Sequence, residues 1–131
     1  MENKLLHTVQ ETIAGERFAM GNDLVFLPDF HKSFTELFKK KVYTEAEQAY
    51  CDSFDESVLR YASTWAAKEA VYKAIKQINP QSLGWKKLEI LREKIAGKPE
   101  VKIHHDNNSY LISLSISHDG DYVWAVALVK L

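Results

Sequence analysis

No internal disulfide is open to this chain, because Cys51 is its only cysteine. A reducing compartment is the simpler expectation. Breakers are scarce, with five glycines and three prolines. No repeat, low-complexity tract or Gly/Ser linker interrupts the chain, so a single domain over residues 1–131 is expected. Neither sign of charge dominates: seventeen basic and eighteen acidic side chains leave a net charge of −1. That balance argues against a protein that coats nucleic acid or anionic membrane. No stretch approaches the roughly 18 apolar residues of a membrane span. Met1 to Gln10 lacks the apolar run of a secretory signal. The expectation is a cytoplasmic protein. What the chain does have is 46% hydrophobic residues beside 27% charged ones, the make-up of a packed globular core.

The pattern predicts an α+β domain in which one long helix and shorter helices pack on an antiparallel sheet. Arg17 to Leu27 reads as a strand interrupted at Gly21-Asn22, where glycine signals a bulge or a close backbone approach. Before it, Leu5 to Ile13 partly alternates and Ala14-Gly15-Glu16 would turn it back as a hairpin; a short helix is the alternative. Asp29 to Lys41 reads as a helix with Phe30, Phe34, Leu37, Phe38 and Val42 on one side. Thr44 and Glu47 form a capping box for a helix to about Phe54. Glu56 to Ile78 is the longest helical signal. Its stripe of Leu59, Ala62, Ala66, Ala70, Ala74 and Ile78 is so small that something must pack close to it. Asn79-Pro80 ends it. Trp85 to Arg92, Glu100 to His105, Tyr110 to Ser117 and Tyr122 to Leu131 read as strands. The turns between them fall at Ala96 to Pro99, Asp106 to Asn108 and Asp119 to Asp121.

Four short segments carry chemistry-bearing side chains. Trp65, Glu69 and Lys73 are spaced by four and share one helix face. Taken alone, Glu69 and Lys73 are more simply a solvated surface pair. Asp23 follows a glycine in an otherwise apolar strand and is a poor core residue, yet an exposed strand end would explain it. His118 falls at the end of a strand carrying Ser115 and Ser117. Gly97-Lys98-Pro99 by itself is a turn. Lys39, Lys40 and Lys41 form the one basic run, which a solvated helix end explains. His104 and His105, adjacent on a strand, point to opposite faces and do not make a zinc site.

The order and spacing of these segments together are specific. Gly21-x-Asp23, Tyr43-Thr44-x-x-Glu47, Trp65-Ala66-Ala67-Lys68-Glu69-Ala70 with Lys73, Gly97-Lys98-Pro99 and Ser115-Ile116-Ser117-His118 resemble the phosphopantetheinyl transferases, in particular the short holo-acyl-carrier-protein synthase type. The resemblance runs from about Gly21 to the C-terminus and leaves residues 1–16 as an N-terminal extension. It implies transfer of the 4′-phosphopantetheine arm of coenzyme A to a serine of an acyl or peptidyl carrier protein, with release of 3′,5′-ADP. Mg²⁺ would be held by Asp23 and Glu69, since magnesium typically takes one or two carboxylates with phosphates and waters. Lys73 would contact a phosphate or help deprotonate the serine, with Glu69, through a metal-bound water, as the competing base. Lys68, about 100° round the helix from Glu69, is expected to bind phosphate. Gly97, Lys98 and Pro99 would line the adenine pocket, and His118 would sit near the nucleotide phosphates. Glu47 is expected chiefly to cap its helix. The family also implies a homotrimer with coenzyme A held between neighbours. A non-catalytic module binding coenzyme A or the carrier is the competing reading, against which Asp23, Glu69 and Lys73 count.

Two departures bear on binding. Asp29 stands where the family tends to place an arginine that docks the carrier. Asp55 and Glu56 stand where it often has basic residues for the 3′-phosphate, which leaves Arg60 as the nearest cation.

Overall fold

The computed structural model describes residues 17–93, 97–104 and 110–130. The predicted N-terminal hairpin or helix, the turn at Asp106 to Asn108, and residues Ala96 and His105 lie outside the described residues.

Strand β1 (Phe18–Phe26) leads directly into two short helices, α1 (Leu27–Ser33) and α2 (Glu36–Val42), then α3 (Glu45–Asp52) and the long α4 (Ser57–Lys76). A single 3₁₀ turn (Trp85–Lys87) precedes β2 (Leu88–Leu91), β3 (Glu100–Ile103), β4 (Leu111–Asp119) and β5 (Tyr122–Lys130). The strands form a three-stranded sheet in the order β1-β5-β4 and a two-stranded sheet of β2 and β3, antiparallel throughout. This is the α+β architecture expected from the sequence.

Alternation builds the sheet's two faces. Val123, Ala125, Ala127 and Val129 of β5 are buried against α4, together with Ala19, Gly21 and Val25 of β1. Asp23 has the same parity and therefore faces the helix side. The opposite face of the sheet is apolar and open: Met20, Leu24, Phe26, Leu111, Tyr122 and Trp124 are all exposed on it. Leu24 is paired in register with Trp124, and Phe26 with Tyr122. Gly120, at φ +56°, turns β4 into β5 in the left-handed region that glycine enters without strain.

Glycine 21 is a close approach and not a bulge. The β1–β5 register runs without interruption from Phe18↔Lys130 to Phe26↔Tyr122. A Cβ at residue 21 would lie 2.0 Å from the Ala70 carbonyl oxygen and 2.7 Å from the Ala74 amide nitrogen. The alanines of α4 are small because a strand backbone lies against them.

Two expectations need correction. The helix over Asp29 to Lys41 is two helices, broken at Phe34-Thr35. The extended backbone there lets the Thr35 side chain accept the Phe38 amide at 3.1 Å and cap α2, and it leaves Leu37 exposed. The strand over Trp85 to Arg92 shortens to β2, because Trp85–Lys87 closes a 3₁₀ turn. The Trp85 ring packs there on Trp65 and Tyr72, with centroids 4.9 and 5.0 Å away.

Candidate active site

The contact at Gly21 sets the site. It presses β1 onto the middle of α4, two residues before Asp23 and beside the turn that carries Glu69 and Lys73. Lys73 Nζ donates to Asp23 Oδ1 at 2.9 Å and to the Asn22 carbonyl at 3.2 Å. Glu69 stands on the same helix face one turn earlier. Partial burial raises its pKa first, and the nearby Asp23 charge raises it further, while Lys73 acts the other way. Two carboxylates and an ammonium thus converge across the strand–helix contact. Asp23 and Glu69 border a cleft of about 470 Å³ whose apolar wall includes Leu24, Phe30, Phe38 and Trp65. The Phe38 and Trp65 rings meet edge-on, with centroids 5.1 Å apart.

The donor set fits a hard divalent cation in part. Among the described residues no group of three or more His, Cys, Asp or Glu side chains converges. Two carboxylates are nonetheless what magnesium commonly takes from a protein when phosphates and waters complete its shell. Repulsion between Asp23 and Glu69 is the signature of a pair that a cation would relieve.

Lys68 corrects the sequence reading. Its ammonium is fully buried and donates to Glu47 Oε1 at 2.6 Å, with both side chains 0% exposed. It is therefore turned away from any phosphate at the surface. Burial lowers its pKa, and the Glu47 carboxylate opposes that shift. Glu47 does cap α3, accepting the Thr44 amide at 2.9 Å in a complete capping box. Its other oxygen also accepts the Ile90 amide of β2 at 2.8 Å. One carboxylate joins α3, α4 and β2. The signal for this was the buried row Tyr61, Thr64, Lys68, Val71 and Ile75, at spacings of three and four, into which Lys68 falls.

The remaining candidates do not converge on Asp23. Arg60 lies nine residues before Glu69 on α4, about 13 Å along the axis, with its guanidinium 4.2 Å from the Phe54 ring centroid. Gly97 and Lys98 line a second cleft of about 490 Å³ with Tyr50 and Arg92. Pro99 follows them and leads into β3. His118 Nε2 donates to the Gly120 carbonyl at 2.9 Å, and His118 lines a third cleft, of about 410 Å³, with His31, Asp55 and Glu56. The three clefts share no lining residue. Arg92 and Tyr50 carried no motif and were not anticipated; only an arginine directly after the strand Leu88-Glu89-Ile90-Leu91 marked the place.

Comparison with known proteins identifies relatives of the whole fold. Residues 19–127 match the family model of the 4′-phosphopantetheinyl transferase superfamily. The holo-[acyl-carrier-protein] synthase of Chlorobaculum parvum is 42% identical over 93 residues, covering 71% of this chain and 79% of that protein. That of Chlorobaculum tepidum is 38% identical over 114 residues, covering 85% and 97%. Among solved structures, the ACPS–CoA complex of Chronobacterium ammoniagenes superposes with a TM-score of 0.75 at 26% identity, covering 88% of this chain and 98% of that one.

Proposed function

Since the chain belongs to the 4′-phosphopantetheinyl transferase superfamily, we propose that Asp23, Glu69 and Lys73 are its catalytic centre. The enzyme transfers the 4′-phosphopantetheine arm of coenzyme A to a carrier protein, as a holo-acyl-carrier-protein synthase. The observation that carries the site assignment is the convergence of these three side chains where Gly21 admits α4 against β1.

Asp23 and Glu69 would hold Mg²⁺, which supplies charge neutralisation for the pyrophosphate oxygens when bound. The remaining work belongs to the chain. The carrier serine attacks the phosphorus that bears pantetheine, the P–O bond to the second phosphate breaks, and 3′,5′-ADP leaves with the electron pair. Lys73 has three donors; two are occupied by Asp23 and the Asn22 carbonyl, and the third is available to a phosphate oxygen. Glu69, with its raised pKa, is the better-matched acceptor for the serine proton. Phe30, Phe38 and Trp65 give the cleft an apolar wall beside the reacting groups. Positioning and electrostatics dominate such transfers.

The carrier is an acyl or peptidyl carrier protein presenting a serine, and the exposed Lys32, Lys40 and Lys41 beside the cleft suit an acidic partner. A second and third copy of the chain would cover the open sheet face. Met20, Leu24, Phe26, Leu111, Tyr122 and Trp124 make that face an exposed apolar patch, the kind of surface that marks an interaction site, and a homotrimer would seal it. No described helix is long and apolar enough to cross a membrane, and a cytoplasmic location suits the co-substrate.

Incubation of the protein with coenzyme A, Mg²⁺ and a panel of apo carrier proteins, followed by mass spectrometry, tests the reaction. The expected result is one phosphopantetheine gained on one serine, lost when a chelator is added. Transfer that persists undiminished in Asp23→Asn, or in the chelator, would overturn the site. Sedimentation equilibrium at assay concentration tests the trimer, and a lone monomer would overturn it.

A further inference from the structure

Two arginines stand together at the start of α4 without an acid between them. Arg92 lies with its guanidinium 4.4 Å from the Tyr50 ring centroid, and Arg60 lies likewise on Phe54. The two rings are themselves in contact, with centroids 5.0 Å apart. One Arg92 nitrogen, Nη2, donates to the Thr64 hydroxyl and to the Arg60 carbonyl. Burial is the main cause that lowers the Arg92 pKa; the like charge of Arg60 also lowers it, while Tyr50, Cys51 and Glu47 act the other way. The ion pairs formed among the described residues use Lys39, Lys68, Lys73 and His104, and neither arginine. Arg60 Nε is buried with no hydrogen-bond partner.

Such a pair is unfavourable as it stands. A half-buried charge that lacks a counterion is destabilising unless something pairs it. Guanidinium groups match phosphate geometry with two parallel N–H donors, and aromatic stacking fixes their plane in advance. Arg92 also borders the 490 Å³ cleft that Gly97 and Lys98 line. Glu93 and Glu100 border the same cleft and are exposed.

We propose that Arg92, stacked on Tyr50 and seconded by Arg60, is the specificity-determining contact for the 3′-phosphate monoester of coenzyme A. This rests on the transferase reading and adds to it residues that no motif marks. The charges of the two clefts divide the substrate between them. The acidic pair at Asp23 and Glu69 accepts phosphate only with a cation between. The arginine pair accepts it directly, which suits a monoester remote from the reacting bond. Arg92 then stands in for the basic residues that Asp55 and Glu56 replace before α4.

Calorimetry with 3′,5′-ADP and with 5′-AMP tests this without requiring turnover. The wild type should bind 3′,5′-ADP the more tightly. Arg92→Met should weaken 3′,5′-ADP about 10- to 100-fold, the range of a charge-assisted contact, and leave 5′-AMP within about twofold. Arg92→Lys, which keeps the charge and loses the fork, should keep part of the preference and guards against a variant that fails to fold. Equal weakening of both nucleotides would make Arg92 a structural residue and overturn the proposal. So would a wild type that binds the two alike, or binds neither. The transferase reading fails separately, on absence of the mass gain on a carrier serine.

Discussion

Two carboxylate–lysine pairs tie α4 to its neighbours, and they could hardly differ more in setting. Glu47 and Lys68 are sealed from water at 2.6 Å. Asp23 and Lys73 meet at 2.9 Å with the lysine 49% exposed and the aspartate 16%. Lys68 and Glu69 are adjacent in the chain, yet one belongs to the sealed pair and the other stands beside the open one. The hydrogen-bond inventory explains the division. Both Glu47 oxygens are spent on protein donors, namely the Thr44 and Ile90 amides and Lys68, so nothing is left for a ligand. The open pair is short of partners: Glu69 carries a raised pKa beside Asp23. Saturated charge holds structure together, whereas unsaturated charge at a cleft is available for chemistry.

The comparison breaks first at Lys68. Lys68→Met leaves Glu47 charged and buried, and should lower unfolding free energy by about 3–5 kcal/mol, read from urea denaturation. Adding Glu47→Gln should return part of that loss, because the stranded charge is gone. A single-variant loss below about 1 kcal/mol would show that the pair is not sealed.

Glu69→Gln should act the opposite way. Transfer should fall on the order of a thousandfold, about 4 kcal/mol of barrier, with the fold intact. Its stability should carry a sign as well. The folded protein holds the Glu69 proton more tightly than the unfolded chain does, since the folded pKa is raised. Wild type therefore loses stability as pH climbs from the ordinary glutamate value through the raised one. The glutamine variant does not, so thermal melts above that window should favour it. A variant less stable than wild type at neutral pH would contradict this assignment.

The smallest effect on stability is expected at Lys73. Lys73→Ala removes a half-exposed pair and should shift unfolding by less than about 1 kcal/mol. It should lower kcat more than it raises the KM for coenzyme A, as expected of a group that acts in the transition state. A stability loss matching that of Lys68→Met would erase the distinction between the two pairs.

Local chemistry made much of this legible in advance. The capping box of Thr44 and Glu47 and the glycine turn at residue 120 each depend on a few neighbouring residues, whereas Gly21 could be read only as a bulge or a close approach, because Ala70 and Ala74, which decide between the two, lie far along the chain. The phosphopantetheinyl transferase motifs pointed to Asp23, Glu69 and Lys73 together. What escaped depended on partners far along the chain. Lys68 is buried because Glu47, twenty-one residues earlier, meets it. The break at Thr35 was hidden because the phenylalanine spacing suits one helix or two, and only packing of Phe34 on Tyr61, at 4.8 Å between centroids, decides. Arg92 finds Tyr50 and Thr64 across forty-two and twenty-eight positions, a distance over which no residue spacing carries information.

The missing side chain at Gly21 also bears on how the enzyme can vary over evolutionary time. The gap between β1 and α4 is set by backbone against backbone, with the position of Ala70 O as the stop. Backbone contact has no rotamers, so it does not relax when neighbouring core residues are exchanged. Substitutions such as Val71→Ile or Val129→Ile can therefore drift under selection for stability alone, while the spacing of the two carboxylates is inherited unchanged. Residue 21 itself has no such latitude, because every L-amino acid other than glycine would bring a Cβ into the helix. The site is thus buffered against variation around it and brittle at one position that performs no chemistry.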